Sequence, residues 1–202
     1  GKQNKIHKHK TKVEKMLNVV VIECVGMGKD HIKRLTEKIQ GAQVVAVSDV
    51  FEEGAKEAAK IAGGAKVYTD GKDLINDPDV DAVFIVSPGF AHTESLLQAI
   101  EAGKRVFCEK PLATTAVDCK KIVGAEVASG KHLIQLGFMR RYDKGYVQVK
   151  EALKSGEYGE PLILHCTHRN PEVGTNYNTP MAVHDTAIHE IDTLHWLVDD
   201  EY

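Results

Sequence analysis

From Met16 onward, short apolar runs rich in β-branched residues alternate with amphipathic segments, and this rhythm constrains the fold more than any other feature. The runs cover residues 19–22, 44–48, 82–87, 105–108 and 133–136. Between them, residues 29–39, 52–62, 92–102 and 115–128 carry helical periodicity. Gly41, Gly63-Gly64, Gly103 and Gly130 follow these four segments, where helix caps belong. Strand–helix alternation with short turns predicts βαβ units and a parallel sheet covered on both faces. The unbroken apolar runs VVVI, VVAV and AVFIV are what strands buried on both sides require. The expected fold class is therefore α/β, a Rossmann-type doubly wound parallel sheet.

After Gly137 the rhythm changes. Residues 143–155 read as a helix, 156–161 as a loop, 162–167 as a strand, 175–180 as a polar loop and 185–198 as a last helix. This predicts a dinucleotide-type domain over 16–137, then over 138–202 the start of a truncated α/β open-sheet domain. Residues 1–15 hold six Lys against one Glu, while the whole chain of 202 residues carries a formal charge of −3. The body is thus acidic, which argues against nucleic acid as a partner. The tail lacks an apolar signal core and reads as a disordered leader, with an electrostatic contact to nucleic acid or acidic lipid as the alternative. No apolar run approaches the ~20 residues of a membrane span. Cys24, Cys108, Cys119 and Cys166 show no CxxC spacing and read as reduced cytoplasmic thiols.

The first strand runs into Glu23-Cys24-Val25-Gly26-Met27-Gly28. A dinucleotide turn wants glycine at three places: for the tight turn, for backbone approach to the pyrophosphate, and for helix–strand packing. With Gly28 as the third, the first two positions hold Glu23 and Val25. Asp49, 21 residues beyond Gly28, ends the second apolar run. There it can accept both hydroxyls of a ribose and repel a 2′-phosphate, favouring NAD, or it can cap the following helix.

Lys110, in Glu109-Lys110-Pro111-Leu112, sits at the carboxyl end of a strand, the edge where open α/β sheets bind ligands. In the last predicted helix, Asp185, His189 and Asp192 are spaced i, i+4, i+7 and share one stripe, opposite Ala187, Ile191, Leu194 and Val198. One reading is acid–base chemistry, with the histidine removing an alcohol proton and the lysine stabilising the developing alkoxide. A metal site drawing on His184, Asp185, His189 and His195 is the second, disfavoured because His184 and His195 point off the stripe. A salt-bridged surface helix is the third.

These segments together resemble the glucose–fructose oxidoreductase/inositol dehydrogenase (Gfo/Idh/MocA) family. The residues that carry the resemblance are Gly28-Lys29-Asp30-His31, Ser48-Asp49, Ser87-Pro88 with His92, Glu109 to Leu112, Gly137 to Asp143, His168-Arg169-Asn170, and His184 through Asp192. The resemblance implies NAD as cofactor, no metal, and contacts to the cofactor from Gly26, Met27, Gly28, Asp49, Ser87, Pro88, His92, Glu109 and Lys110. It implies Lys110, Asp185 and His189 as catalytic residues, with Asp185 orienting His189. A polyol pocket is implied at Met139, Arg140, His168, Asn170, Thr186, His189 and Asp192. The implied reaction moves hydride from C2 of myo-inositol to NAD⁺, in a homo-oligomer (dimer or tetramer). Glu23 and Val25 depart from the family turn, which keeps two rival expectations open: a non-catalytic binding or scaffold protein, and a dehydrogenase of another sugar.

Overall fold

The structure, a computed structural model, describes residues 15–199; the basic tail, apart from Lys15, lies outside them. Six strands form one parallel sheet in the order β3 (Lys66–Tyr68), β2 (Ala42–Ser48), β1 (Leu17–Ile22), β4 (Ala82–Ile85), β5 (Arg105–Cys108), β6 (Ile134–Leu136). Alternating side chains of β1 feed two cores. Val19 and Val21 pack under α1 (Met27–Glu37) and α2 (Glu52–Ile61), against Ile32, Leu35 and Ala58. Val20 and Ile22 face α3 (Gly71–Asn76), α4 (His92–Glu101) and α5 (Ala116–Ser129), against Leu74, Leu96 and Ile122. Burial on both faces explains why these strands are apolar at every position. The strand order reverses between β1 and β4, which opens a crevice at their carboxyl ends.

Among the short elements that the sequence did not foreshadow, one strand and one helix belong to the sheet domain. β3 pairs over only three residues with β2 at the sheet edge. α3 spans six residues and is started by Asp70, whose carboxylate accepts the Lys72 N–H at 2.8 Å. Neither is long enough for a period to show. β4 ends at Ile85, two residues before the expected Ser87, because its ladder to β5 stops at Cys108 and Pro88 cannot donate to one.

α1 starts two residues earlier than its periodicity suggests. Gly26 caps it at φ 59°, ψ −118°, a conformation reserved for glycine. Gly28 lies against the end of β1 so closely that a Cβ there would be 2.2 Å from the Glu23 carbonyl oxygen. Gly28→Ala is therefore expected to lower stability by about 3 kcal/mol, read as a fall in the denaturant midpoint. An unchanged midpoint would mean that helix and strand can part at no cost.

Beyond β6, a 3₁₀ turn (Met139–Tyr142) leads to α6 (Lys144–Ser155), whose first N–H groups are capped by the Asp143 carboxylate. α6 packs on α8 (Ile188–Val198), which follows α7 (Thr179–Met181) and a π turn (Ala182–Ala187). The buried Lys150 holds the end of α8. Its ammonium donates to the carbonyls of Trp196 and Leu197 and pairs with Asp199 at 2.7 Å. Two expectations are corrected here. Residues 162–167 form no strand, since no described strand lies alongside to complete a ladder; Leu162 and Ile163 are 91% and 87% exposed. The helix expected over 185–198 is α-helical only from Ile188. Among the described residues, no helix is long and apolar enough to cross a membrane.

Candidate active site at the carboxyl edge of the sheet

The turn after β1 has the backbone of a dinucleotide cradle, with two side chains working against it. Glu23 stands at φ 66°, in the left-handed region that the first turn glycine normally occupies. Burial raises its carboxyl above the usual range, and the neighbouring Asp49 carboxylate adds to the rise. Val25 is half exposed, and its Cγ2 lies 3.2 Å from where a Cβ on Gly54 would sit. The third position fits, since Gly28 admits no side chain. The helix N-terminus and the close-packed glycine that would hold a dinucleotide are in place, while Glu23 and Val25 carry side chains at the two positions where such a turn wants glycine.

Asp49 sits at the end of β2 but is only 2% exposed. One oxygen accepts the Cys24 N–H and the other the Phe51 N–H, both at 2.8 Å. Phe51, not Asp49, is the N-cap of α2. In this structure Asp49 braces the turn and leaves little of its carboxylate to a ribose. His92 is likewise set behind the site: it is fully buried, with Nδ1 2.7 Å from the Pro111 carbonyl and Nε2 2.6 Å from that of Ser87. It joins the Ser87-Pro88 turn to the Lys110-Pro111 turn rather than facing a ligand.

Between these turns and the second unit lies a cavity of about 480 Å³. Met27, Ser87, Pro88, Glu109 and Lys110 line one side; Asn170, Tyr177, Asp185 and Thr186 line the other. The Ser87 hydroxyl, on a residue that borders the cavity, is buried without a protein partner. The Lys110 ammonium donates to the Asp185 carbonyl at 3.2 Å and so ties the sheet edge to the π turn.

The expected stripe is altered at this turn. The segment expected to be α-helical here begins as a π turn, and the Asp185 carboxylate accepts from His184 Nδ1 at 2.8 Å. Among the described residues no group of three or more His, Cys, Asp or Glu could hold a metal ion. Thr186 bonds the Tyr177 hydroxyl at 2.7 Å. His189 follows one turn on, 6% exposed, with Nδ1 lacking a protein partner. Burial lowers its pKa below the ordinary 6.5, and the positive charges of Lys110 and Arg140 lower it further.

Three expected pocket residues are joined by one that the sequence did not single out. Glu190 accepts from Arg140 through one oxygen and lies 3.1 Å from His168 Nδ1 through the other; His168 Nε2 is 3.1 Å from Asn170 Oδ1. Arg140, His168 and Asn170 therefore form one network with Glu190 at its centre. The available signal was position alone, since Glu190 directly follows the histidine of interest. Asp192 takes another course. Arg141 grips it through Nε at 3.0 and 3.1 Å, and it lines a separate cavity with Phe138 and Tyr142. Met139 is exposed and outside the lining of the main cavity.

Comparison with known proteins agrees with this architecture. Residues 17–138 match the model of an oxidoreductase family with an NAD-binding Rossmann fold, and residues 146–202 match the GFO/IDH/MocA C-terminal domain. The inositol 2-dehydrogenase of Pseudomonas syringae pv. syringae is 54% identical over 187 residues, 92% of this chain and 56% of that protein. An inositol 2-dehydrogenase/D-chiro-inositol 3-dehydrogenase of Halalkalibacterium halodurans is 54% identical over 183 residues, 90% and 53% of the two chains. The crystal structure of myo-inositol dehydrogenase from Lactobacillus casei in complex with NAD(H) and myo-inositol matches with a TM-score of 0.88 at 49% identity, over 93% of this chain and 56% of that one. The chain spans about half the length of the curated relatives it matches. Sheet order, cavity and both family matches converge: this chain belongs to the GFO/IDH/MocA oxidoreductase family, with an NAD-binding Rossmann fold.

Proposed function

We propose that the chain carries the nucleotide-binding and proton-handling parts of an NAD-dependent dehydrogenase of cyclic polyols, with myo-inositol oxidised at C2 as the reaction. The observation that carries this is the meeting of Lys110 with the 185–189 segment at the edge of the sheet, beside a cavity of about 480 Å³. When bound, NAD⁺ supplies the hydride acceptor. α1 and the Gly26–Gly28 turn would hold its phosphates, while Ser87, Pro88, Glu109 and Met27 would border it in the cavity. His189, kept neutral by burial and by nearby positive charge, takes the hydroxyl proton. The Lys110 ammonium stabilises the oxygen as negative charge builds on it. Asp185 holds the lysine through its backbone carbonyl. The Arg140–Glu190–His168–Asn170 network offers donors and acceptors suited to neighbouring hydroxyls of a polyol. Homo-oligomerisation and a cytoplasmic setting belong to this same reading.

Glu23 and Val25 favour a second reading, a binding or scaffold protein that no longer turns over. One assay separates the two. Residues 16–202 with glycine at positions 23 and 25 are joined to the portion of the Pseudomonas syringae relative that this chain does not match. Absorbance at 340 nm is then followed with NAD⁺ and myo-inositol. Turnover supports the dehydrogenase; its absence from a folded, NADH-binding chimera supports the scaffold.

A further inference from the structure

His31 lies on α1, three residues past the close-packed Gly28, and has no part in the chemistry above. Its ring stands edge-on to Phe84 and Phe107 at 5.8 and 5.2 Å, and those two rings stack at 4.8 Å. From this apolar wall Nε2 reaches Glu109 Oε1 at 2.8 Å, with the two side chains 12% and 18% exposed. The second Glu109 oxygen accepts the backbone N–H of Lys110 at 3.3 Å. Packing closes over that carboxylate, since a Cβ on Gly137 would come within 3.3 Å of it and 3.0 Å of Phe107. Burial alone would raise the Glu109 carboxyl, but the bond from His31, with the charges of His31 and Lys110, holds it below the usual range. An ionised carboxylate in so apolar a place keeps its geometry, because leaving it unpaired is costly.

We propose that His31 is a positioning residue for the lysine: through Glu109 it fixes the start of the Lys110 turn relative to the helix that carries the dinucleotide cradle. The chain of contact runs from α1 through the imidazole and carboxylate to the Lys110 backbone, and from its ammonium to the Asp185 carbonyl. Cofactor cradle and alkoxide-stabilising group are thus set by one rigid link, at a site where a displacement near 1 Å can cost on the order of 100-fold in rate. The proposal rests on the role assigned to Lys110 above, so its test reads the lysine itself as well as turnover.

Gln places a donor where the imidazole Nε2 is, and Asn places one where Nδ1 is. His31→Gln should therefore keep the bond and His31→Asn should lose it; His31→Leu is a second loss variant suited to the apolar wall. The full chain is pulse-labelled with acetic anhydride, and acetylation of Lys110 is read by peptide mass spectrometry relative to Lys104. Lys104 is anchored on the Asp77 and Val80 carbonyls, away from this link. The Lys110/Lys104 ratio is expected to rise roughly tenfold in the two loss variants, matching a lost hydrogen bond to a charged group, and to stay at the parent value in His31→Gln. In the active chimera the loss variants lower kcat while KM and NADH affinity hold. Equal ratios in all four chains would overturn the proposal. So would a rise in both lysines together, the mark of a general loosening. The ratio is measurable whether or not myo-inositol is a substrate, so failure of the functional reading leaves this result separate.

Discussion

Replacing Glu23 and Val25 together by glycine is expected to tighten NADH binding roughly 30-fold, ~2 kcal/mol. Two effects contribute in the same direction, while the cost of holding Glu23 at φ 66° falls on the free and the bound chain alike and bears on stability instead. The Glu23 carboxylate, already beside Asp49, would add negative charge where a doubly charged pyrophosphate would bind. The Val25 side chain occupies space that bare backbone needs. A fluorescence titration of parent and double variant reads the sum, and Glu23→Gln separates charge from shape. The raised pKa of Glu23 adds a sign: as pH falls, this carboxyl is neutralised earlier than an ordinary one, so the parent should gain affinity on acidification while the double variant should gain less. Equal affinity of parent and double variant would show that Gly26 and Gly28 suffice and that the crowding has no energetic weight.

The sheet was legible because its strands are buried on both faces and its helices on one, so period alone separated them: Val19 and Val21 serve one core, Val20 and Ile22 the other. What escaped were elements too short for a period, β3 and α3, and a change of helical pitch that no pattern of apolar residues encodes. Residues 162–167 show the reverse failure. Their β-branched, apolar composition promises a strand, but a strand needs a neighbour, and composition does not say whether one is present. For the site, Lys110 at the end of β5 was readable from its place after an apolar run. The partners of Asp49, His92 and Asp185 were not. Those of Asp49 and His92 depend on which backbone groups lie unpaired nearby, fixed only once the turns have closed, and that of Asp185 is a neighbouring side chain, His184, brought round by the π turn. Glu190 belongs with them, since its bonds to Arg140 and His168 join segments 50 and 22 residues apart in sequence.

The other large effect falls on Lys110. In the chimera with the turn glycines restored, Lys110→Met is expected to lower kcat by on the order of 10³-fold while NADH affinity changes little. The ammonium is held by a single carbonyl of the π turn, and its pull is needed only once a polyol oxygen begins to carry negative charge. The same charge acts on His189, which burial and then Lys110 and Arg140 hold below the ordinary 6.5. A base must be neutral to accept a proton, so activity should be retained down to a pH below 6.5 before the acid limb of kcat/KM sets in. Arg140→Gln removes one of those positive charges and frees Glu190, whose negative charge favours imidazolium. Both changes raise the pKa of His189 and should move the acid limb toward higher pH. The residual activity of Lys110→Met should shift the same way, because it too loses a positive neighbour. A limb that stays fixed in both variants would remove His189 from the role of base and leave the proton to a group lining the cavity, where Glu109 and Asp185 are the carboxylates beside Lys110.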